Sequence, residues 1–220
     1  MWYNTLIMNI KKILSVACLA AAGLAFADST PGMISLVTPL QAPSSDYDVK
    51  GVRLSLIYGE CENFKGLDLG IINNTRADFT GIALGGANLA GGKLRGVQLG
   101  LVNWDGNEAS DWSARSIGAQ VGLLNCSGPF CGLQDGMVNI ASGDFAGLQS
   151  SLFNHCSSLN GAQMGCYIIF AVNVTGEMSG CQIGLVNYAE RVNEGLQIGL
   201  VNIIGENGWA PILPFVNGNF

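Results

Sequence analysis

Polar and apolar positions in this chain recur as a unit, Gly-x-Gln-x-Gly-Leu-x-Asn, which appears cleanly at residues 96–103, 118–125, 180–187 and 195–202. Worn copies begin at Gly51, Gly66, Gly81, Gly132, Gly147 and Gly161. The glutamine position therefore falls at Arg53, Asp68, Ala83, Gln98, Gln120, Gln134, Gln149, Gln163, Gln182 and Gln197, in steps of 14 or 15 residues broken by one of 22 and one of 19. A finer period runs inside the unit. Phe64, Leu69, Phe79, Leu84, Leu89, Leu94, Leu99 and Trp104 are spaced by five, with Asn74 the one break. Small or apolar residues such as Leu67, Ala77, Ile82 and Ala87 lie two places earlier, and polar residues such as Asp68, Asp78, Asn88 and Gln98 one place earlier. Gln and Asn thus occupy the same place in successive five-residue units, which reads as an outward place.

Repetition at this length marks an array of stacked coils, because a single unit cannot bury its Leu/Ile/Val face alone. The expected fold is all-β: a parallel β-solenoid of about ten coils, with like residues stacked at the strand spacing of about 4.8 Å. The structural positions are Gln98, Asn103, Gln120, Asn125, Gln134, Asn139, Gln149, Asn154, Gln182, Asn187, Gln197 and Asn202. Recurring Asn suits a side-chain amide ladder at a corner, and glycine beside it suits a positive-φ turn. Corner insertions are expected at residues 105–115 and between Ile168 and Met178. Open ends of a stack need covering. Residues 31–47 are placed to cover the first coil, and residues 209–215, whose Pro211 and Pro214 cannot continue a ladder, the last.

The rival architecture is an outer-membrane antiparallel β-barrel. Gln197-Ile-Gly-Leu-Val alternates apolar side chains with Gln and Gly, and the chain ends on Phe220. Against it, the alternating runs fall short of the roughly 9–11 residues a spanning strand needs. Neighbouring units are also all alike, which an up-and-down meander does not favour.

The N-terminal segment carries a different pattern. Lys11 and Lys12 precede an apolar run over residues 13–26, and Ala25-Phe26-Ala27 is a small-residue cleavage site. This reads as a secretory signal cut before Asp28, with Met8 a candidate start. A lipoprotein signal on Cys18 is the weaker alternative, because residues 15–17 lack the usual leucine; a retained anchor is weaker still. The expected organisation is residues 1–27 signal peptide, 28–49 N-terminal extension, 50–205 repeat domain and 206–220 C-terminal cap. The expected location is the periplasm, outer membrane or cell surface.

Composition adds two constraints. Hydrophobic residues make up 49% of the chain and charged ones 12%, which argues against disorder. Loss of Lys11 and Lys12 takes the basic count from 10 to 8 against 16 acids, moving the net charge from −6 to −8. An acidic surface repels phosphate backbones, so nucleic acid is excluded as a partner. Six cysteines follow the signal, Cys61, Cys126, Cys131, Cys156, Cys166 and Cys181. An even count in an oxidising compartment permits disulfides, with Cys126 and Cys131 the candidate pair; small buried thiols are the alternative.

Ala87-Asn88-Leu89 and its neighbours over residues 64–104 resemble the pentapeptide-repeat family. That resemblance implies a right-handed β-helix with the leucine and the small residue pointing inward. Pro39-Leu-Gln, the stretch 46–59, the Gln-x-Gly-Leu-x-Asn copies and the closing Leu213-Pro-Phe-Val-Asn217 resemble a bacterial surface-repeat family. The resemblance implies export and repeat architecture, and it carries over no catalytic residue.

Candidate chemistry is sparse. His155, the single histidine, adjoins Cys156, but neighbours along a strand point to opposite faces, so a thiol–imidazole pair is not expected. One histidine and no close cysteine pair give no zinc spacing. Gly85-Gly86 and Gly91-Gly92 lack the lysine and helix of a phosphate loop, and no cofactor is implied. Trp104, Asp105, Glu108, Asp111 and Trp112 cluster in the longer insertion, where aromatics and carboxylates suit a glycan or a cation. A polysaccharide-acting β-helix enzyme would need acids stacked on successive coils, and no such column emerges. The expected function is non-enzymatic: an exported structural or binding repeat protein whose partner is a cell-envelope component or glycan, with membrane association open.

Overall fold

A computed structural model describes residues 29–108, 112–165 and 171–220. The expected signal peptide with Cys18 lies outside the described residues, as do Asp111, Cys166 and Ile168. The chain is a parallel β-solenoid of about 11 turns. Its strands are β1 (Ser29–Val37), β2 (Leu40–Ala42), β3 (Asp48–Cys61), β4 (Phe64–Thr75), β5 (Phe79–Ala90), β6 (Leu94–Leu99), β7 (Val102–Asp105) and β8 (Ser116–Val121). They continue as β9 (Leu124–Ser127), β10 (Phe130–Asp135), β11 (Val138–Ser151), β12 (Phe153–Gly165), β13 (Val172–Ile183), β14 (Val186–Glu206) and β15 (Ile212–Asn219).

The junctions between successive coils are parallel, and most positions in them pair like with like. Gly66 lies over Gly51 and under Gly81, Gln134 between Gln120 and Gln149, and Asn139 between Asn125 and Asn154. A meander barrel would instead pair neighbouring strands antiparallel, and the outer-membrane barrel is therefore excluded. Antiparallel pairing occurs at the two ends. There β2 folds back on β1, and β15 folds back on β14. The segment 31–47 supplies the first coil itself, with Met33 over Arg53, before turning into β2.

Each coil has two walls that meet at a bend, and the inward rows explain the repeat. One row is aromatic or aliphatic, including Phe64, Phe79, Leu94, Phe130, Phe145 and Leu159, all buried. Phe64 stacks on Phe79 at 5.2 Å and Phe130 on Phe145 at 5.9 Å. A second row holds small residues such as Thr75, Ala90, Ala141, Cys156 and Ala189. The other two are the Gln and Asn rows. Every Gln and Asn of the predicted repeat positions is 0–1% exposed, so these side chains face inward rather than outward.

The five-residue row is split for the same reason. Phe64, Phe79 and Leu94 are buried, whereas Leu84, Leu99 and Trp104 are 38%, 38% and 44% exposed. The pentapeptide-like expectation that leucine and small residues all point inward is corrected here. A fifteen-residue coil turns Gln and Asn into its narrow interior and buries only every third position of that row.

Glycine is required at the start of each unit. Gly66 and Gly81 have φ of 141°, and a Cβ on Gly66 would lie 1.9 Å from the Gly51 carbonyl oxygen. Positive φ therefore belongs to the unit's first glycine, which must admit the backbone of the coil before it. The later glycine of the unit has another duty: a Cβ at Gly85 would lie 2.7 Å from Asn73 Nδ2. Residues 172–178 stand in register over residues 153–159. The second insertion therefore precedes Val172 and does not extend to Met178.

Candidate functional site

Two amide rows run through most of the interior. The Asn row runs from Asn73 through Asn88, Asn103, Asn125, Asn139, Asn154, Asn173 and Asn187 to Asn202, each Nδ2 donating to the next Oδ1 at 2.8–3.0 Å. The same Nδ2 atoms donate to backbone carbonyls across the bend, as Asn88 does to Leu99 O at 3.0 Å. Each Asn therefore staples the corner where a glycine leaves room for it. The expected Asn ladder at a corner is present.

The Gln row runs in the opposite sense. Gln197 donates to Gln182, and the chain of donors continues through Gln163, Gln149, Gln134 and Gln120 to Gln98 at 2.7–2.9 Å. Glutamine is one methylene longer, and Nε2 uses that reach to cross the core, as Gln149 does to His155 O at 3.3 Å. With opposite donor directions, the bond dipoles of the two rows oppose each other. Each row leaves one acceptor at its start, Asn73 Oδ1 and Gln197 Oε1, without a hydrogen bond among the described residues. A buried polar group is tolerated when every partner is met, and stacking identical amides meets them automatically.

Below Gln98 the Gln row changes chemistry. Arg53, 0% exposed, donates Nε to Asp68 Oδ1 at 2.8 Å and Nη2 to Oδ2 at 2.5 Å. Its Nη1 donates to Asn74 O at 2.7 Å, and the guanidinium lies 5.2 Å from the Phe64 ring centre. Burial pushes the Asp68 carboxyl above its ordinary range and the guanidinium pulls it back. Ala83 separates this ion pair from the amide row.

The longer insertion leaves the coil after Asp105. Its Asn107 is buried and donates Nδ2 to Ala114 O at 2.8 Å and to Ser116 Oγ at 3.4 Å. Ser116 stands where other coils carry Phe or Leu, and the space it frees admits Asn107. Neither residue was marked by the repeat; a serine in the aromatic row was the available signal. Asp105 is 1% exposed and points inward, with Oδ1 accepting from Asn107 N at 3.2 Å and Oδ2 taking no hydrogen bond among the described residues. Burial pushes its carboxyl up to about 6, against the pull of Ser116 and the Asn107 N–H.

A cavity of about 170 Å³ opens beside the insertion, lined by Trp104, Asp105, Glu108, Cys126, Ser127 and Ser142 among others. Trp112 lies in the 3-10 turn Trp112–Ala114 and takes the Arg115 guanidinium over its ring at 4.4 Å. The structure therefore brings Trp104, Asp105 and Glu108 together, with Trp112 absent from the cavity lining.

The cysteines are free where described. Cys126 stacks between Trp104 and Ile140, and Cys131 between Ile117 and Ala146. The candidate Cys126–Cys131 bridge is not formed, because the ladder holds the two in different rows. Cys156 faces inward against Thr175 Oγ1 at 3.5 Å, while His155 lies between Ile140 and Val174 on the other side of the strand. Burial pushes the Cys156 thiol up to about 12 and Cys61 up to about 11, the opposite of an activated nucleophile. No cluster of metal-ligating side chains occurs among the described residues. Comparison with protein families, curated proteins and solved structures finds no match.

Proposed function

We propose that this chain is an exported, non-catalytic repeat module of the cell envelope that works through its outer surface. The observation that carries this reading is the interior: the Gln and Asn rows spend their hydrogen-bonding capacity on one another and on backbone carbonyls. What remains for recognition is the outside of the two walls. The resemblance to bacterial surface-repeat proteins and the signal-like segment at residues 1–27 support export. Fractionation of cells expressing the full chain, with protease shaving of intact cells, tests it. The expected result is a processed chain in the envelope fraction; full-length chain recovered from the cytoplasm overturns it.

A second reading is favoured by the cavity at the insertion, where half-exposed Trp104 and exposed Glu108 adjoin. Aromatic face and carboxylate suit a sugar ring with its hydroxyls. Binding on a glycan array that Trp104→Ala abolishes would support it, and an array without signal would remove it.

A further inference from the structure

Four residues of the repeated unit have interior reasons to be what they are. The leucine does not. It sits outside the bend, so that Leu56, Ile71, Leu101 and Leu123 are 66%, 57%, 60% and 51% exposed and form a ridge down one corner, with a gap at Gly86 in the coil between Ile71 and Leu101. The first wall beside this ridge is also apolar on its outer face. Val52 and Leu54, then Ile82 and Leu84, are all at least 38% exposed, and Ile34 extends the surface onto β1 at 60%. Six stacked strands of this wall at about 4.8 Å spacing present roughly 600 Å², the upper end of what a soluble monomer exposes in one patch.

Charge is segregated on the same wall. Lys50, Lys65 and Arg95 share one exposed row along its far edge, Lys50 over Lys65 and Arg95 two coils on. None of the three has an ion-pair partner among the described residues. The outward positions of β4, β5, β6 and β8 hold no acid, in a chain whose net charge is −6; on β3, Asp48 stands two residues before Lys50 and is bonded to Asn63, and Glu60 is paired with Arg76. A row of cations, then two rows of apolar side chains, then a protruding leucine ridge is the order of an interfacial anchor.

We infer that this wall seats on an anionic phospholipid bilayer, the ridge entering the acyl boundary and the Lys50/Lys65/Arg95 row meeting the headgroups. A second copy of the chain is the poorer occupant. Pairing wall to wall offers the cations only Asp48, already bonded to Asn63, over these coils, and roughly 600 Å² falls short of the roughly 800 Å² per partner of an ordinary stable interface. The inference deepens the reading of the chain as an envelope surface module and rests on it.

The test is cosedimentation of the full chain with vesicles of phosphatidylethanolamine and phosphatidylglycerol, and separately with phosphatidylcholine alone. Variants share residues 1–28 with the wild type, so differences report the wall. The quadruple variant Leu56→Gln, Ile71→Gln, Leu101→Gln and Leu123→Gln changes only outward side chains, and its circular dichroism and melting midpoint should match wild type. Its partitioning onto the anionic vesicles should fall by about tenfold or more, given the apolar area withdrawn. Lys50→Gln, Lys65→Gln and Arg95→Gln together should lower anionic-vesicle binding by about tenfold or more and leave phosphatidylcholine binding unchanged. Equal partitioning of wild type and ridge variant overturns the proposal, as does a wild-type chain that ignores both vesicles or self-associates through the ridge instead. Cell fractionation is read separately, so a failed vesicle experiment does not disturb the export result.

Discussion

The first coils and the later ones fill the same interior row with opposite chemistry. From Gln98 onward the row is neutral amide, each residue bonded to a copy of itself one coil away. Before Ala83 it is a guanidinium facing a carboxylate, Arg53 on Asp68, with a second anchor on Asn74 O. An amide carries both donor and acceptor, so any number can stack and each new coil satisfies the last. An ion pair satisfies itself and cannot propagate. The ladder is therefore extensible, whereas the pair terminates the row near β1, the coil that β2 folds over.

The largest expected effect comes from breaking the pair on one side. Asp68→Leu strands a guanidinium at 0% exposure and should cost about 3–5 kcal/mol in urea unfolding, while Arg53→Met with Asp68→Leu should return to within about 1 kcal/mol of wild type. A double variant as unstable as the single one would show that the pair's other contacts, not its charge balance, hold these coils.

Asp105 sharpens the contrast, because it is a buried carboxylate with no ion-pair partner among the described residues. Its pKa of about 6 lies above the ordinary 3.8, so the folded chain holds this proton more tightly than the unfolded chain does. The penalty is absent below about pH 4 and complete above about pH 6, amounting to roughly 3 kcal/mol. Wild type should accordingly lose stability relative to Asp105→Asn as pH rises through that window. A difference between the two that is flat with pH would mean that the carboxyl is not desolvated.

The smallest effect tests the ladder. Gln149→Leu leaves Gln134 Oε1 without its donor and Gln163 Nε2 without its acceptor, at a cost of about 2 kcal/mol. Gln98→Leu, at the end of the row beside Ala83, breaks one amide link rather than two and should cost about 1 kcal/mol. Equal costs at the two positions, measured by urea unfolding, would count against an additive ladder.

Much of this molecule was legible along the chain. The coil length, the parallel stacking and the Asn ladder all follow from the fifteen-residue recurrence, because only stacking gives every unit the same neighbour. The direction of the side chains was not legible. Gln, Asn and Leu all recur with the unit, and composition suggests amides out and leucine in. The bend reverses this: Asn must face inward to bond across the corner, and the neighbouring leucine is then forced outside. Likewise Ser116 reads as a worn copy until the fold shows Asn107 occupying the space it leaves. The recurrence thus determined by itself that like residues stack at about one strand spacing. Tertiary structure decided which face each row takes, since a narrow coil interior accepts polar side chains when identical neighbours satisfy them, and the apolar residues it displaces become the molecule's outer wall.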